Sequence, residues 1–240
     1  MCGRMSATFD AETVALLEKF MITKINQEFG PRYNVAPSQP VPVVVPGPPT
    51  LDMYKWGLIP HWAKDPKIGN KLINARAETL TEKPSFRKAF KQRRCLVLSS
   101  GFYEWDKEKQ PHHIQIKDQA IFAFAGLWEE WTSPQGDVIK SCTVITCEPN
   151  SFMKKLHNRM PVILESEDYT AWLTSENDQV LRGMLKPIDS QTMTEYPVSR
   201  EVNSPRNDSP EVLKPMGGKG ADERKGASPK GVRRRLGPSC

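Results

Sequence analysis

The second residue carries the most distinctive chemistry in the chain. A cysteine at position 2 follows the initial methionine, and methionine is normally trimmed when the next side chain is small. The expected mature chain then begins with an α-amine and a thiol on adjacent carbons. Such amines titrate at about 7.7–8.0 and thiols at about 8.5, so both nucleophiles are partly available near neutral pH. Together they do what neither does alone. The amine condenses with an aldehyde to an imine, the sulfur adds to the imine carbon, and a thiazolidine closes. Cys2 can equally be an incidental residue, because chain ends are poorly ordered unless tied down.

Three polar strings in apolar frames offer groups that could serve this chemistry. Asn74-Ala75-Arg76-Ala77-Glu78-Thr79 follows Leu72-Ile73, Gly101-Phe102-Tyr103-Glu104-Trp105 follows an apolar run at 95–98, and His157-Asn158-Arg159-Met160-Pro161 follows a short helical pattern. They supply a neutral amide, a carboxylate and an imidazole. Each has a plain structural alternative. Asn74 can satisfy backbone groups at a strand end, Glu104 can face outward from an alternating strand, and His157 can end a helix. The five cysteines (2, 95, 142, 147, 240) form no C-x-x-C pair. That disfavours a zinc site of the usual spacing and a disulfide framework, so no metal or cofactor is expected, and a reducing cytoplasm is the natural compartment. Cys142 and Cys147 read as core thiols, and Cys240 as an exposed one.

The elements that must position these groups read as α+β, with a mostly antiparallel sheet or open barrel-like core and short peripheral helices. Asp10 caps a predicted helix over 11–21, with Val14, Leu17 and Met21 on one face. Strands are predicted at 41–45, 51–57, 72–76, 94–98, 112–116, 121–128 and 143–147, an extended piece at 161–164, and helices at 84–91, 149–156, 166–173 and 178–185. Trp56, Trp105 and Trp128 are expected in the core. Trp62, beside Lys64, Lys67 and Lys71, is expected at the surface. No apolar run reaches the ~18–20 residues of a membrane helix, and no long apolar stripe demands a dimer, so a monomer is expected.

The net charge is +6, and residues 216–240 hold seven bases against two acids, so most of the excess lies there. The expected organisation is a domain over 1–215 and a disordered basic tail over 216–240. A body near neutrality binds nucleic acid only through a local basic groove.

The chain resembles the SOS-response-associated peptidase (SRAP) family, the abasic-site processing proteins. The matching strings are MCGR at 1–4, RYNVAP at 32–37, WGLIPHW at 56–62, INARAET at 73–79, RRCLVLSSGFYEW at 93–105, HNRMP at 157–161 and VSREVNSPRNDSPEVLKP at 198–215. The resemblance implies capture of abasic sites in single-stranded DNA through a covalent link to the N-terminal cysteine, as part of a DNA damage response. It implies that Cys2 is the nucleophile, with Asn74, Glu104 and His157 as the active-site asparagine, glutamate and histidine. Arg4 and Arg76 match arginines that hold phosphates, and Pro37 and Trp62 fall in strings that line the nucleic-acid groove. Where some members have two tryptophans, this chain reads His61-Trp62. Three other functions stay open: a thiol peptidase built on Cys2, His157 and Asn74, which is compatible with capture if it removes Met1 from its own chain; a strand-cleaving lyase; and a non-catalytic single-strand-binding module. A cytoplasmic protein, nucleoid-associated in a bacterium, is implied.

Overall fold

Fourteen strands and four short α-helices run through residues 3–216, the residues that the computed structural model describes. In chain order the strands are β1 Met5–Ala7, β2 Lys24–Ile25, β3 Arg32–Val35, β4 Pro40–Val45, β5 Thr50–Trp56, β6 Asn74–Arg76, β7 Arg94–Ser99, β8 Gly101–Trp105, β9 Pro111–Ile116, β10 Phe122–Thr132, β11 Val138–Cys147, β12 Met160–Pro161, β13 Ile163–Leu164 and β14 Met193–Pro197. The helices are α1 Ala11–Ala15, α2 Pro84–Gln92, α3 Tyr169–Thr174 and α4 Asp178–Gly183.

The strands form two sheets. One is antiparallel throughout, in the order β14-β9-β8-β1-β3; the other runs β12-β11-β10-β7-β4-β5-β2, with β13 added to β10 and β6 to β11. A further parallel pairing of β11 with β5, Ser141 opposite Lys55 and Cys142 opposite Trp56, closes β5-β4-β7-β10-β11 into a five-stranded ring. The fold is therefore α+β with a mostly antiparallel, barrel-like core. Strand β7 buries every residue, as do the middle of β4 (Val41–Val44) and the first half of β10 (Phe122–Leu127), as strand segments covered on both faces must. Cover comes from α2 and α3: Trp172 lies 6.2 Å from Phe90 and its indole donates to the Cys95 carbonyl at 3.0 Å. Cys95, Cys142 and Cys147 are buried thiols, and no helix among the described residues is long and apolar enough to cross a membrane.

Several elements differ from the sequence expectation. Asp10 does cap α1, accepting from the Thr13 N–H at 2.7 Å. The helix nevertheless stops at Ala15, because Leu17 is extended and Met21 adopts a left-handed φ of 53°. A helix this short has little stability of its own, and burial of Phe20, stacked on Tyr169 at 5.4 Å, sets the path. Strands β10 and β11 extend beyond the predicted spans into a long hairpin. Trp56 is fully buried, whereas Trp105 and Trp128 are only half-buried. The Trp105 indole donates to Asn203 at 2.8 Å, and Trp128 meets Tyr54 edge-on at 5.9 Å.

Two polar assemblies hold the antiparallel sheet together and fasten the segment at 198–215 to it. Ser6 of β1 and Nε2 of the buried His113 of β9 are 2.9 Å apart, and the His113 Nδ1 lies 3.1 Å from the Tyr196 hydroxyl of β14. The segment at 198–215 is clamped onto β3. The Asn34 side chain donates to the carbonyls of Val202, Ser204 and Asn207 at 2.7–3.1 Å. Asp208 accepts from Arg32 and from the N–H groups of Tyr33 and Asn34, at 2.6 and 2.9 Å for the last two. Val198, Val202 and Val212 close over Tyr103 as a second small core. Cys2 and, apart from Met216, the whole tail expected over 216–240, Cys240 included, lie outside the described residues.

Candidate functional site

Glu104 is the fourth of the five residues of β8, opposite His112 of β9. Strand alternation places it on the face of Phe102, which packs on Phe124 in the main core, while Tyr103 and Trp105 face the smaller one. The residue is 3% exposed, so the outward-facing alternative does not hold. Burial raises its pKa, and the positive charge of the amino terminus opposes that rise. β1 runs antiparallel beside β8, Met5 opposite Phe102, with the Tyr103 N–H donating to the Arg4 carbonyl at 2.9 Å. The first described residues, Gly3 and Arg4, are thereby directed along β8 towards Glu104.

His157 lies in the loop between the 3₁₀ turn Met153–Lys155 and β12. Its Nδ1 accepts the Arg159 backbone N–H at 3.0 Å, so the neutral ring carries its proton on Nε2. Burial holds the imidazole below its usual pKa, and the charge of the amino terminus acts in the same direction. Asn74 opens β6, which pairs in parallel with β11: Asn74 opposite Val144, Arg76 opposite Thr146. The ladder and the Trp56 indole, which donates to the Ile73 carbonyl at 2.9 Å, fix the approach to Asn74.

Arg159 ties these strings together. Its guanidinium forks onto Glu78 at 2.6 and 3.0 Å and also reaches the Thr146 carbonyl at 2.6 Å. Glu78, four residues after Asn74, is held below the usual carboxylate range by that pair. One side chain thus orders the loop of His157 and the turn after Asn74 and Arg76. A cavity of about 560 Å³ opens at His157, lined also by Lys154, Lys155 and Asn158, and by Lys107, three residues after Glu104. Exposed lysines from two loops therefore surround the imidazole.

The remaining expected residues divide. Arg76 is exposed and makes no hydrogen bond or ion pair among the described residues, which leaves its guanidinium available to an anion. Arg4 is half-buried and donates to Asn34 at 2.6 Å, to the Val202 carbonyl and, at 3.4 Å, to the Asn203 carbonyl, beneath the Trp105 ring. It brackets β1, β3 and the C-terminal segment. Pro37 and Trp62 belong to a second group. The Pro37 turn is joined to the 66–71 turn by a 2.9 Å bond from Ser38 to Asn70. Trp62 is half-exposed and shares a cavity of about 320 Å³ with Lys64, Lys67 and Lys71. No cavity among those described contains both groups. Among the described residues no cluster of His, Cys, Asp and Glu is suited to a metal ion.

Arg159, Glu78 and the lysines at 107, 154 and 155 were not singled out from sequence. Arg159 and Glu78 are 81 residues apart, so only the fold brings them together.

The sequence profile described as SOS response associated peptidase (SRAP) matches residues 1–205. Abasic site processing protein YoqW of Bacillus subtilis (strain 168) is 46% identical over 223 residues, 89% of this chain and 99% of the relative. Abasic site processing protein HMCES of Xenopus tropicalis is 33% identical over 224 residues, 78% of this chain and 67% of the relative. A Bacteroides thetaiotaomicron protein solved by X-ray crystallography superposes with a TM-score of 0.80 at 28% identity, covering 89% of this chain and 99% of that one.

Proposed function

This chain belongs to the SOS response associated peptidase family, and from that premise we propose that it processes abasic sites by covalent capture. Cys2, exposed by removal of Met1, is the nucleophile, and a single strand of DNA is the partner. Support comes from the relatives named abasic site processing proteins. The observation that carries it is geometric: β1 runs antiparallel beside β8, so the chain leading back from Arg4 and Gly3 is directed towards the buried Glu104.

An abasic sugar is mostly a closed hemiacetal, and only its open form presents the C1′ aldehyde. As the sugar opens, the ring oxygen gains the proton that the C1′ hydroxyl loses; His157 relays it, giving its Nε2 proton to the ring oxygen and taking the hydroxyl proton in return, so the imidazole ends neutral. The α-amine of Cys2 attacks C1′. Glu104 takes the proton that the amine loses and returns it to the hydroxyl, which leaves as water. The sulfur then adds to the imine carbon, so aldehyde and aminothiol become a thiazolidine and one water. A carboxyl pushed up by burial suits this exchange, because it takes up a proton more readily than a free carboxylate and can return it. Asn74, a neutral amide, orients the terminus or a sugar hydroxyl without altering the charge of the amine. Arg76 and Arg4 face phosphates, Arg4 through the amino group whose internal bond is the longer, and Trp62 and Pro37 line the groove. Both nucleophiles belong to one residue, so proximity supplies much of the rate. The product is covalent, so each molecule acts once unless the link reverses. Peptidase action is confined to Met1. Strand cleavage is what remains when an imine forms without thiazolidine closure.

The test is incubation with a single strand holding one abasic site, followed by intact mass and a denaturing gel. A stable adduct one water lighter than the sum of its parts, lost in Cys2→Ala, is expected. Cleaved DNA without adduct, or retardation on a native gel alone, would replace capture with a lyase or a binding module.

A further inference from the structure

The loop that carries Trp62 is held in place by a buried carboxylate that the capture chemistry does not use. Glu129 of β10 is 2% exposed. Its Oε2 accepts from the His61 backbone N–H at 3.0 Å and from the His61 ring Nδ1 at 2.9 Å, and its Oε1 accepts from Arg93. Two neighbours extend this anchorage. Ser141, opposite Glu129 in the β10–β11 ladder, accepts from the Ile59 N–H at 2.9 Å, and the Trp131 indole donates to the Ala63 carbonyl at 2.7 Å. Alternate loop residues 59, 61 and 63 are therefore tied to the sheet, and Trp62 between them is left 50% exposed beside three lysines. Glu129 does not line the cavity of Trp62; with His61, Lys88, Arg93, Trp128 and Glu130 it lines a separate one of about 290 Å³. A ring already held outward loses less freedom when a base stacks on it.

We propose that Glu129 is a positioning residue for single-strand binding, acting through His61 to present Trp62 as a stacking platform. This rests on Trp62 contacting DNA, as given under the proposed function. The geometry also gives His61 a use: its ring and backbone together fill one carboxylate oxygen.

The test uses the full chain labelled with 5-fluorotryptophan and an undamaged fluorescent oligodeoxynucleotide, so that capture does not enter. The fluorine resonance of Trp62 is identified by its loss in Trp62→Ala. Trp62→Ala is expected to weaken binding roughly 5- to 100-fold. Glu129→Gln and His61→Ala should each weaken it roughly 3- to 10-fold and shift or broaden the Trp62 resonance. In the Trp62→Ala background, Glu129→Gln should cost nothing further. Weaker binding by Trp62→Ala, with unchanged affinity and resonance in Glu129→Gln and His61→Ala, overturns the inference. So does a Glu129→Gln loss that persists without Trp62. Wild-type binding by Trp62→Ala defeats the stacking role itself, and this inference with it. If Glu129→Gln does not fold, His61→Ala decides alone, since its ring lies at the surface.

Discussion

A buried carboxyl and an imidazole with a fixed tautomer should leave separate marks on the pH profile of the proposed capture. Burial lifts the Glu104 carboxyl, so the Glu104→Gln variant, which neither takes nor gives a proton, should lose roughly 10²- to 10⁴-fold in adduct rate. It should also lose the acidic limb that the carboxyl contributes. A stopped-time gel assay from pH 5 to 9 checks this, and an unchanged rate and shape would remove Glu104 from proton transfer. His113 tests burial by stability instead. Burial lowers its pKa to about 3, whereas in the unfolded chain it titrates near 6.5. The unfolded state therefore binds more protons below pH 6.5, and stability falls with pH from there towards 3 at about 1.4 kcal/mol per pH unit. Urea titrations at pH 7 and 5 should show about 2 kcal/mol less acid loss in His113→Asn than in the wild-type chain. Equal losses would place that titration elsewhere. At this scale the sequence displayed Asn74, Glu104 and His157 as polar groups in apolar strings, but not the supports that hold them. The fork of Arg159 on Glu78 spans 81 residues, and no local pattern encodes it; the tautomer of His157 is set by a backbone N–H only two residues on, but by loop geometry that the residue types do not display.

The strands that hold the site were legible where apolar runs were long and differed where pairing overrode pattern. Strand β8 is the instructive case. Its alternation of Phe102, Tyr103, Glu104 and Trp105 suggests one dry face and one wet one. Both faces are covered instead, because the segment at 198–215 lies over Tyr103 and Trp105 while the barrel takes Phe102. That segment has few large apolar residues and no periodicity, so its place as a structural strap came only from the clamp by Asn34 and Asp208. Asp208→Ala removes the acceptor of two β3 N–H groups and of Arg32, so about 2–3 kcal/mol of stability should go. In a chain of this size that is roughly 5–10 °C in Tm by calorimetry. A change below about 1 °C would mean that water replaces the clamp. Gly101 shows the same crowding on the face of β8 that carries Tyr103. A Cβ there would lie 2.3 Å from the His113 Nε2, so Gly101→Ala should displace the ring and the β1 strand bonded to it through Ser6.

Over the whole molecule, the position of charge matters more than its sum. The net charge of +6 lies mostly in the residues after 215, yet the groups suited to phosphate stand on the body. Lys107, Lys154 and Lys155 surround His157, Arg76 stands on β6, and Lys64, Lys67 and Lys71 surround Trp62. A nearly neutral body can hold a single strand only through such local basic patches, because screening limits the reach of any distant charge to about 8–10 Å. Each phosphate contact on a single strand contributes about −0.7 to the slope of log affinity against log salt. Changing Lys107, Lys154 and Lys155 together to Gln should therefore flatten that slope by roughly 1–2 and weaken binding most at low salt. Ending the chain after Met216 removes more charge than the triple change does. It should nevertheless leave the adduct yield at saturating DNA unaltered and Tm within about 1 °C, since the strap bonded to β3 is complete before that point. Fluorescence anisotropy from 50 to 300 mM salt, with adduct yield measured in parallel, separates the two. A slope that falls with the truncation and not with the lysine changes would transfer strand binding from the groove at His157 to the basic terminus.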